Sequence, residues 1–318
     1  MTAGLAVTAA ACNSEKSGVV AKDGSVTINH AFGETKIPGP PKRVVSAGYT
    51  DQDDLLAVGV VPVAVTNWFG DQPFGVWPWA QPKLGTAQPV VLDLSNGLQI
   101  DQIAACKPDL IVATNAGIDA DTYAKLTAIA PTIPQSGQDA FFEPWKGQAT
   151  TIGQAVFKDA EMKALISGID DSFVKAGKDA ETNGHSFSGK KVFLVRGNFA
   201  GDVAQVTPAG WRTDFLTQMG FVIPDGIDNY VRGNEALVPR DRAASVLDEA
   251  DVLIWTTETD EEQAALLADP TFAQLKATKT NRNVLTGKDL AGAIAFASVL
   301  SYPMVADQLP QRIAKVLT

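Results

Sequence analysis

At 318 residues, with 45% hydrophobic and 19% charged side chains, the chain is long enough for two cores at about 100 to 200 residues per domain, and its composition excludes a disordered or low-complexity polymer. A net charge of -10, with 26 Lys and Arg against 36 Asp and Glu and no basic run, excludes a surface built to neutralise a phosphate backbone, so no nucleic-acid partner is expected. Two cysteines and two histidines are too few for a disulfide framework, a four-cysteine zinc site or a histidine-rich centre, so neither a metal site nor a cofactor is expected.

The first residues, MTAGLAVTAAAC, end on Cys12 and give way to polar NSEKSG. Small residues ahead of a cysteine and a polar tail after it fit the cleavage site of a bacterial lipoprotein signal, with Cys12 lipidated and residues 1–23 forming the remnant and tail. No Lys or Arg precedes the apolar stretch, and Ala9 stands where leucine is usual. Those departures fit a clipped or mis-started beginning, and a plain frayed terminus is the alternative. The expected location is extracytoplasmic, anchored to the plasma membrane by lipid.

From residue 24 to 150 the pattern predicts an α/β lobe. Alternation in VTINHAFGETKI gives a hairpin, and apolar runs at 44–47, 61–65 and 110–113 give buried strands separated by helices at 53–58 and 100–106. Thr50 stands at a helix N-cap, and Asp51, Asp53 and Asp54 fall in the first turn, where free N–H groups favour negative charge; helix capping explains them without a ligand. Cys106, in IAACKPDLIVA, is a core position. Tyr49, Trp68, Phe69 and Asn115 follow strand ends, where α/β proteins build ligand sites. TNWFGDQPFGVWPWAQP and DAFFEPW cluster aromatics among Gly and Pro, so some rings are expected in the core and some, Trp68 and Phe69 first, at a cleft.

Residues 151–183, apolar at three- and four-residue spacing and free of proline, predict one long helix. A second lobe then occupies 184–318. There SVLDEADVLIWTTE echoes QIAACKPDLIVATNAG: a helix ends, an Asp turns the chain and a strand opens into a polar loop. The uncharged stretch 290–306 reads as one buried helix, too short to span a bilayer. Arg196, Trp211, Arg212, Arg232, Trp255 and Thr256 are the second lobe's candidate ligand contacts, the arginines because a guanidinium fork suits anionic oxygens. Ordinary surface ion pairs are the alternative for each arginine. With the aromatics they suggest a bulky, anionic, partly apolar ligand. His30 and His185 are not placed to serve a nucleophile, and no G-x-S-x-G, phosphate loop or H-E-x-x-H is present, so an enzyme is not expected.

The segments PKRVVSAGYTDQDDLLAVGV, QIDQIAACKPDLIVA and AFASVLSYPMVADQLPQRIAKVL resemble, in order, the substrate-binding proteins of ABC importers for ferric siderophores, haem and cobalamin, with wording closest to actinobacterial ferric-citrate and siderophore-type lipoproteins. The resemblance implies two Rossmann-like α/β lobes joined by one long helix, a ligand cleft between them, and a monomer that delivers a ferric siderophore to a permease. It places one acidic residue per lobe against a permease arginine, here Asp101 and Asp241, where the family usually has Glu. A haem binder, with Tyr49, Tyr230, Tyr302 or His30 as axial donor, is the alternative within the class. A siderophore hydrolase is the alternative outside it.

Overall fold

The computed structural model describes residues 16–137, 139–199 and 201–317; Cys12 lies outside them. The first lobe opens with the hairpin β1 (Val26–His30) and β2 (Gly33–Ile37), then runs β3 (Val44–Ser46), α1 (Asp51–Ala57), β4 (Ala64–Thr66), α2 (Gln81–Leu84), β5 (Val90–Leu92), α3 (Ile100–Ala105), β6 (Leu110–Ala113), α4 (Ala120–Thr127), β7 (Thr132–Pro134) and α5 (Trp145–Ala155). Its sheet is parallel throughout, in the order β5-β4-β3-β6-β7. The chain turns from one side of β3 to the other, which places the topological switch between β3 and β6, and ligands of open α/β sheets bind beyond the strand ends there.

After α6 (Asp159–Thr182) the second lobe runs β8 (Val192–Arg196), β9 (Val203–Thr207), α7 (Asp214–Gln218), β10 (Val231–Arg232), β11 (Glu235–Pro239), α8 (Ala243–Leu247), β12 (Val252–Thr256), α9 (Asp260–Ala268), α10 (Pro270–Gln274), α11 (Lys276–Lys279), β13 (Asn283–Leu285), α12 (Lys288–Phe296) and α13 (Tyr302–Val316). Its sheet is mixed, in the order β10-β11-β9-β8-β12-β13, with β8, β12 and β13 parallel. The two lobes share a local device. Asp109 accepts from the backbone N–H of Lys42 and Arg43, just ahead of β3, and Asp251 accepts from that of Lys191, just ahead of β8. In each lobe the Asp that turns the chain out of a helix also fixes the entry of the neighbouring strand.

Two helices expected to be continuous are each broken. The stretch 151–183 divides into the end of α5 and all of α6, because Phe157 takes a left-handed φ of 62°. Phe157 N–H donates to Gln154 O and Lys158 N–H to Gly153 O, the two bonds of a Schellman ending with Phe where Gly is usual. The helix that joins the lobes is therefore α6, whose 24 residues span about 36 Å. The stretch 290–306 likewise divides, with Ala297 left-handed at φ 47° closing α12 and Pro303 in the first turn of α13, where a missing N–H costs nothing.

Met162, Ile169 and Phe173 on α6 join one buried cluster with Val44, Leu55 and Leu110 of the first lobe and Leu194, Phe215, Ile254 and Tyr302 of the second. The core thus runs continuously through the connecting helix.

Candidate functional site

A cleft of about 520 Å³ lies between the lobes at the carboxyl ends of both sheets. Trp68 and Phe69, leaving β4, and Phe142, ahead of α5, form one wall. Trp68 meets Phe69 edge to face at 4.6 Å, tilts on Phe142 at 5.1 Å, and stacks on Tyr49 at 5.5 Å, which in turn stacks on Phe141 at 5.8 Å. Trp77, by contrast, is core: it is fully buried and stacks on Trp79 at 4.9 Å. Gly70 and Gly292 press on its ring, and a Cβ would come within 2.5 and 2.6 Å of it. The aromatic segment therefore divides, with Trp68 and Phe69 at the cleft and Trp77 filling the space behind.

The second lobe supplies Leu194 and Arg196 from β8, Thr207 at the end of β9, Trp211 and Arg212 from the following loop, Asn234 and Glu235 at β11, and Thr256 and Glu258 at the end of β12. Arg196 and Thr256 are register partners on adjacent parallel strands. Ala291, Ile294 and Ala295 of α12 close a third side. Arg212 reaches across the cleft, with its guanidinium 5.3 Å from the Phe142 ring and 5.1 Å from that of Trp211.

Each arginine has an acidic neighbour in the same cleft. Arg212 Nη1 lies 3.4 Å from Glu235 Oε1, and Arg196 Nη2 lies 3.9 Å from Glu258 Oε1. Burial raises both glutamates above the usual carboxylate range, more than the arginines pull them down; Glu262 adds to the rise at Glu258.

Four expected contacts fall outside the cleft lining, the first being Tyr49, which stacks between Trp68 and Phe141. Trp255 is 0% exposed, packs on Phe199 and Phe272, and donates its Nε1–H to Asn283 Oδ1 at 3.0 Å. Side chains alternate along a strand, so with Thr256 at the cleft its neighbour must face the opposite core. Leu253 and Trp255 pack there with Phe193 and Val195, while Val252 and Ile254 face the other way with Leu194. Arg232 is exposed on the edge strand β10, where its Nη1 donates to the carbonyls of Val231 and Asn229. Asn115 is buried; its Oδ1 accepts from Phe142 N–H at 2.9 Å and its Nδ2 donates to Thr50 Oγ1, so it positions the Phe142 loop rather than facing the cleft. Phe142, Leu194, Thr207, Asn234, Glu235 and the α12 face are contacts not expected from the sequence. Of these only Phe142 had a signal, the aromatic cluster before α5.

The acids after Tyr49 do open α1, but the capping picture is incomplete. Thr50 is the N-cap residue and makes no side-chain cap bond; its hydroxyl accepts from Asn115 and Gln148. All three carboxyls are buried. Asp51 accepts from Thr114 Oγ1 at 2.6 Å and Gly48 N–H at 3.0 Å, Asp53 from Trp79 Nε1 at 2.8 Å and Ser298 Oγ at 2.5 Å, and Asp54 from Gln148 Nε2 at 3.2 Å. Burial pushes Asp51 and Asp53 up to about 6. It holds Asp54 well above the usual range, with the charges of Asp53 and Asp51 adding to the effect. Among the described residues no group of three or more His, Cys, Asp or Glu is arranged to hold a metal.

His30 is bound within the hairpin region, beside Thr35 Oγ1 at 3.0 Å and Tyr123 Oη at 3.2 Å. Tyr302 packs in the core against Trp145 and Phe173. Neither reaches the cleft. Asp101, in the first turn of α3, and Asp241, in the turn ahead of α8, are both exposed.

Two α/β lobes on one helix, with an aromatic and arginine-lined cleft at the sheet ends, define a two-lobed binding protein. The chain belongs to the periplasmic binding protein family, whose model matches residues 44–290. A solved periplasmic solute binding protein from Mycobacterium smegmatis is 64% identical, with a TM-score of 0.88 over 93% of this chain and 100% of that one. The probable siderophore-binding lipoprotein YfiY of Bacillus subtilis is 30% identical over 221 residues, 68% of this chain and 63% of its own. The putative ABC transporter substrate-binding lipoprotein YhfQ of the same organism is 26% identical over 225 residues, 68% and 64% respectively. The chain therefore spans just under two thirds of the length of these two curated relatives.

Proposed function

We propose that this chain is an extracytoplasmic substrate-binding protein that captures a ferric siderophore between its lobes and delivers it unchanged to an ABC importer. The observation that carries the reading is the cleft itself: a wall of Trp68, Phe69 and Phe142 faces Arg196 and Arg212, on a fold whose relatives include a probable siderophore-binding lipoprotein. Aromatic faces suit the carbon skeleton of a large chelate, and guanidinium donors suit its iron-binding oxygens. Haem is the weaker reading, because among the described residues no Tyr, His, Met or Cys lines the cleft to serve as an axial ligand.

Lipidation at Cys12 would hold the protein at the membrane, as the names of the lipoprotein relatives suggest for them. Among the described residues no helix is long and apolar enough to cross a membrane. Asp101 and Asp241 start equivalent helix–strand units of the two lobes and are proposed to register the loaded protein on the permease through charge complementarity.

Titrating tryptophan fluorescence with ferric siderophores and with haem, then recovering the chelate and measuring its mass, tests the reading. Saturable binding of an iron chelate with its mass unchanged is expected; tight binding of haem alone, or a cleaved chelate, would overturn it. Asp101→Lys combined with Asp241→Lys is expected to abolish uptake in cells while leaving affinity in solution intact.

A further inference from the structure

Among the described residues, the ionisable ones lining the cleft are Arg196, Arg212, Glu235 and Glu258, two positive and two negative, so their formal charges cancel. This differs from the arginine-dominated site the sequence suggests. Resting on the ferric-siderophore reading above, we infer that the cleft selects iron chelates of zero or positive net charge, the ferric tris-hydroxamate class, over polyanionic catecholate and carboxylate chelates.

The argument is electrostatic. A ferric ion held by three singly charged hydroxamates is neutral, whereas three doubly charged catecholates leave three negative charges on the complex. A polyanion entering this cleft meets two arginines already facing carboxylates at 3.4 and 3.9 Å, so each guanidinium offers only part of its field. It also brings its own charge against Glu235 and Glu258, and like charges placed together in a partly desolvated site are disfavoured. A neutral chelate carries no such penalty. Its hydroxamate oxygens accept from the arginine N–H groups, and Thr207, Asn234 and Thr256 offer further hydrogen-bonding groups. Its apolar spacers lie on Trp68, Phe69, Phe142 and Trp211, and in a cationic member of the class the ammonium tail finds the glutamates. Outside the lining, the exposed neighbours Lys288 and Asp289 at the start of α12 are of opposite sign, while Glu262, whose carboxylate accepts from Glu258 N–H at 2.6 Å, adds negative charge beside Glu258.

The two glutamates also give a pH signature. Both carboxyls are already held above their ordinary range by burial, and a bound polyanion would raise them further. Residual affinity for an anionic chelate would therefore come with proton uptake and strengthen as pH falls, while a neutral chelate binds with little pH dependence.

The test is a fluorescence titration of the protein at pH 7.5 with ferrichrome (neutral), ferrioxamine B (cationic), ferric enterobactin (trianionic) and ferric citrate. The hydroxamates are expected to bind at least tenfold more tightly than the other two. Glu235→Gln with Glu258→Gln should raise affinity for ferric enterobactin by about tenfold or more and lower it for ferrioxamine B. Glu258→Gln alone, at the more loosely paired site, should move both in the same directions to a smaller degree if the double variant does not fold. Equal or tighter binding of the trianion by the unaltered protein, or variants that leave the ratio of the ferrioxamine B and ferric enterobactin affinities unchanged, would overturn the inference while leaving a siderophore binder. Binding of none of the four would remove the siderophore reading itself, and this inference with it.

Discussion

Trp68 and Trp255 look alike in the sequence, each closing or following a short apolar run that ends in a polar loop. Their roles are opposite. Trp68 presents a half-buried face to the cleft, and Trp255 is sealed in the second lobe's core with its N–H on Asn283. Trp255→Ala should therefore cost about 3–5 kcal/mol of stability, read as a lowered urea midpoint, with chelate affinity of the folded protein unchanged. Trp68→Ala should do the reverse, weakening chelate binding about tenfold with the midpoint nearly constant. Equal effects of the two on binding would place Trp255 back at the site. VLIWT could not reveal this difference because every position but the last is apolar. A strand buried on both faces shows no alternation, so its register is invisible until the neighbouring strands are placed. Arg232 fails for a related reason: it lies on an edge strand of two residues, outside the cleft lining, with its guanidinium on the carbonyls of Asn229 and Val231.

At the scale of elements, the start of α1 was legible and its burial was not. The acids stand where a helix N-terminus favours them, but what encloses them comes from distant parts of the chain: Thr114 on Asp51, Gln148 on Asp54 and Ser298 on Asp53, 63, 94 and 245 positions away. The repeated helix–Asp–strand unit was legible because Asp109 and Asp251 act on backbone groups, a role set by local geometry. The buried acids have a consequence for stability. Folded Asp51 and Asp53 bind their protons up to about pH 6, against an ordinary value near 3.8, so the folded state holds more protons than the unfolded between those limits. Their stabilising contribution is fully present below about pH 4 and is lost as pH rises to about 6, roughly 3 kcal/mol for each carboxyl; Asp54, raised further, extends the loss to higher pH. Asp54→Asn copies the protonated acid in shape and can keep the bond from Gln148. It should raise the melting temperature at pH 7.5 and flatten the fall in stability above pH 6. A lower melting temperature at that pH, with an unchanged profile, would show that the carboxylate is stabilising in its charged form.

For the whole molecule, the question is how far the lobes move when the cleft fills. Loop-hinged lobes close by large rotations because a few backbone torsions absorb the change, whereas a continuous helix has none to spare. Here α6 is unbroken over its 24 residues, and its Asp170 accepts from Lys146 of α5 at 2.7 Å and from Gln218 of α7 at 2.8 Å, joining an element of each lobe. Asp53 of α1 holds Ser298 at the corner between α12 and α13, and Tyr302 packs on Trp145 of the first lobe and Phe215 of the second. Closing the cleft by a wide rotation would have to open this shared core, exposing apolar surface at about 25 cal/mol per Å². Ligand binding is therefore expected to order the Trp68 and Phe142 loops and leave the lobes nearly fixed. Small-angle scattering of the free and chelate-saturated protein should give superimposable profiles, while hydrogen exchange slows at the cleft loops and stays unchanged along α6. A clear contraction on binding, or faster exchange in α6, would mean that the connecting helix bends and that the shared core yields to the ligand.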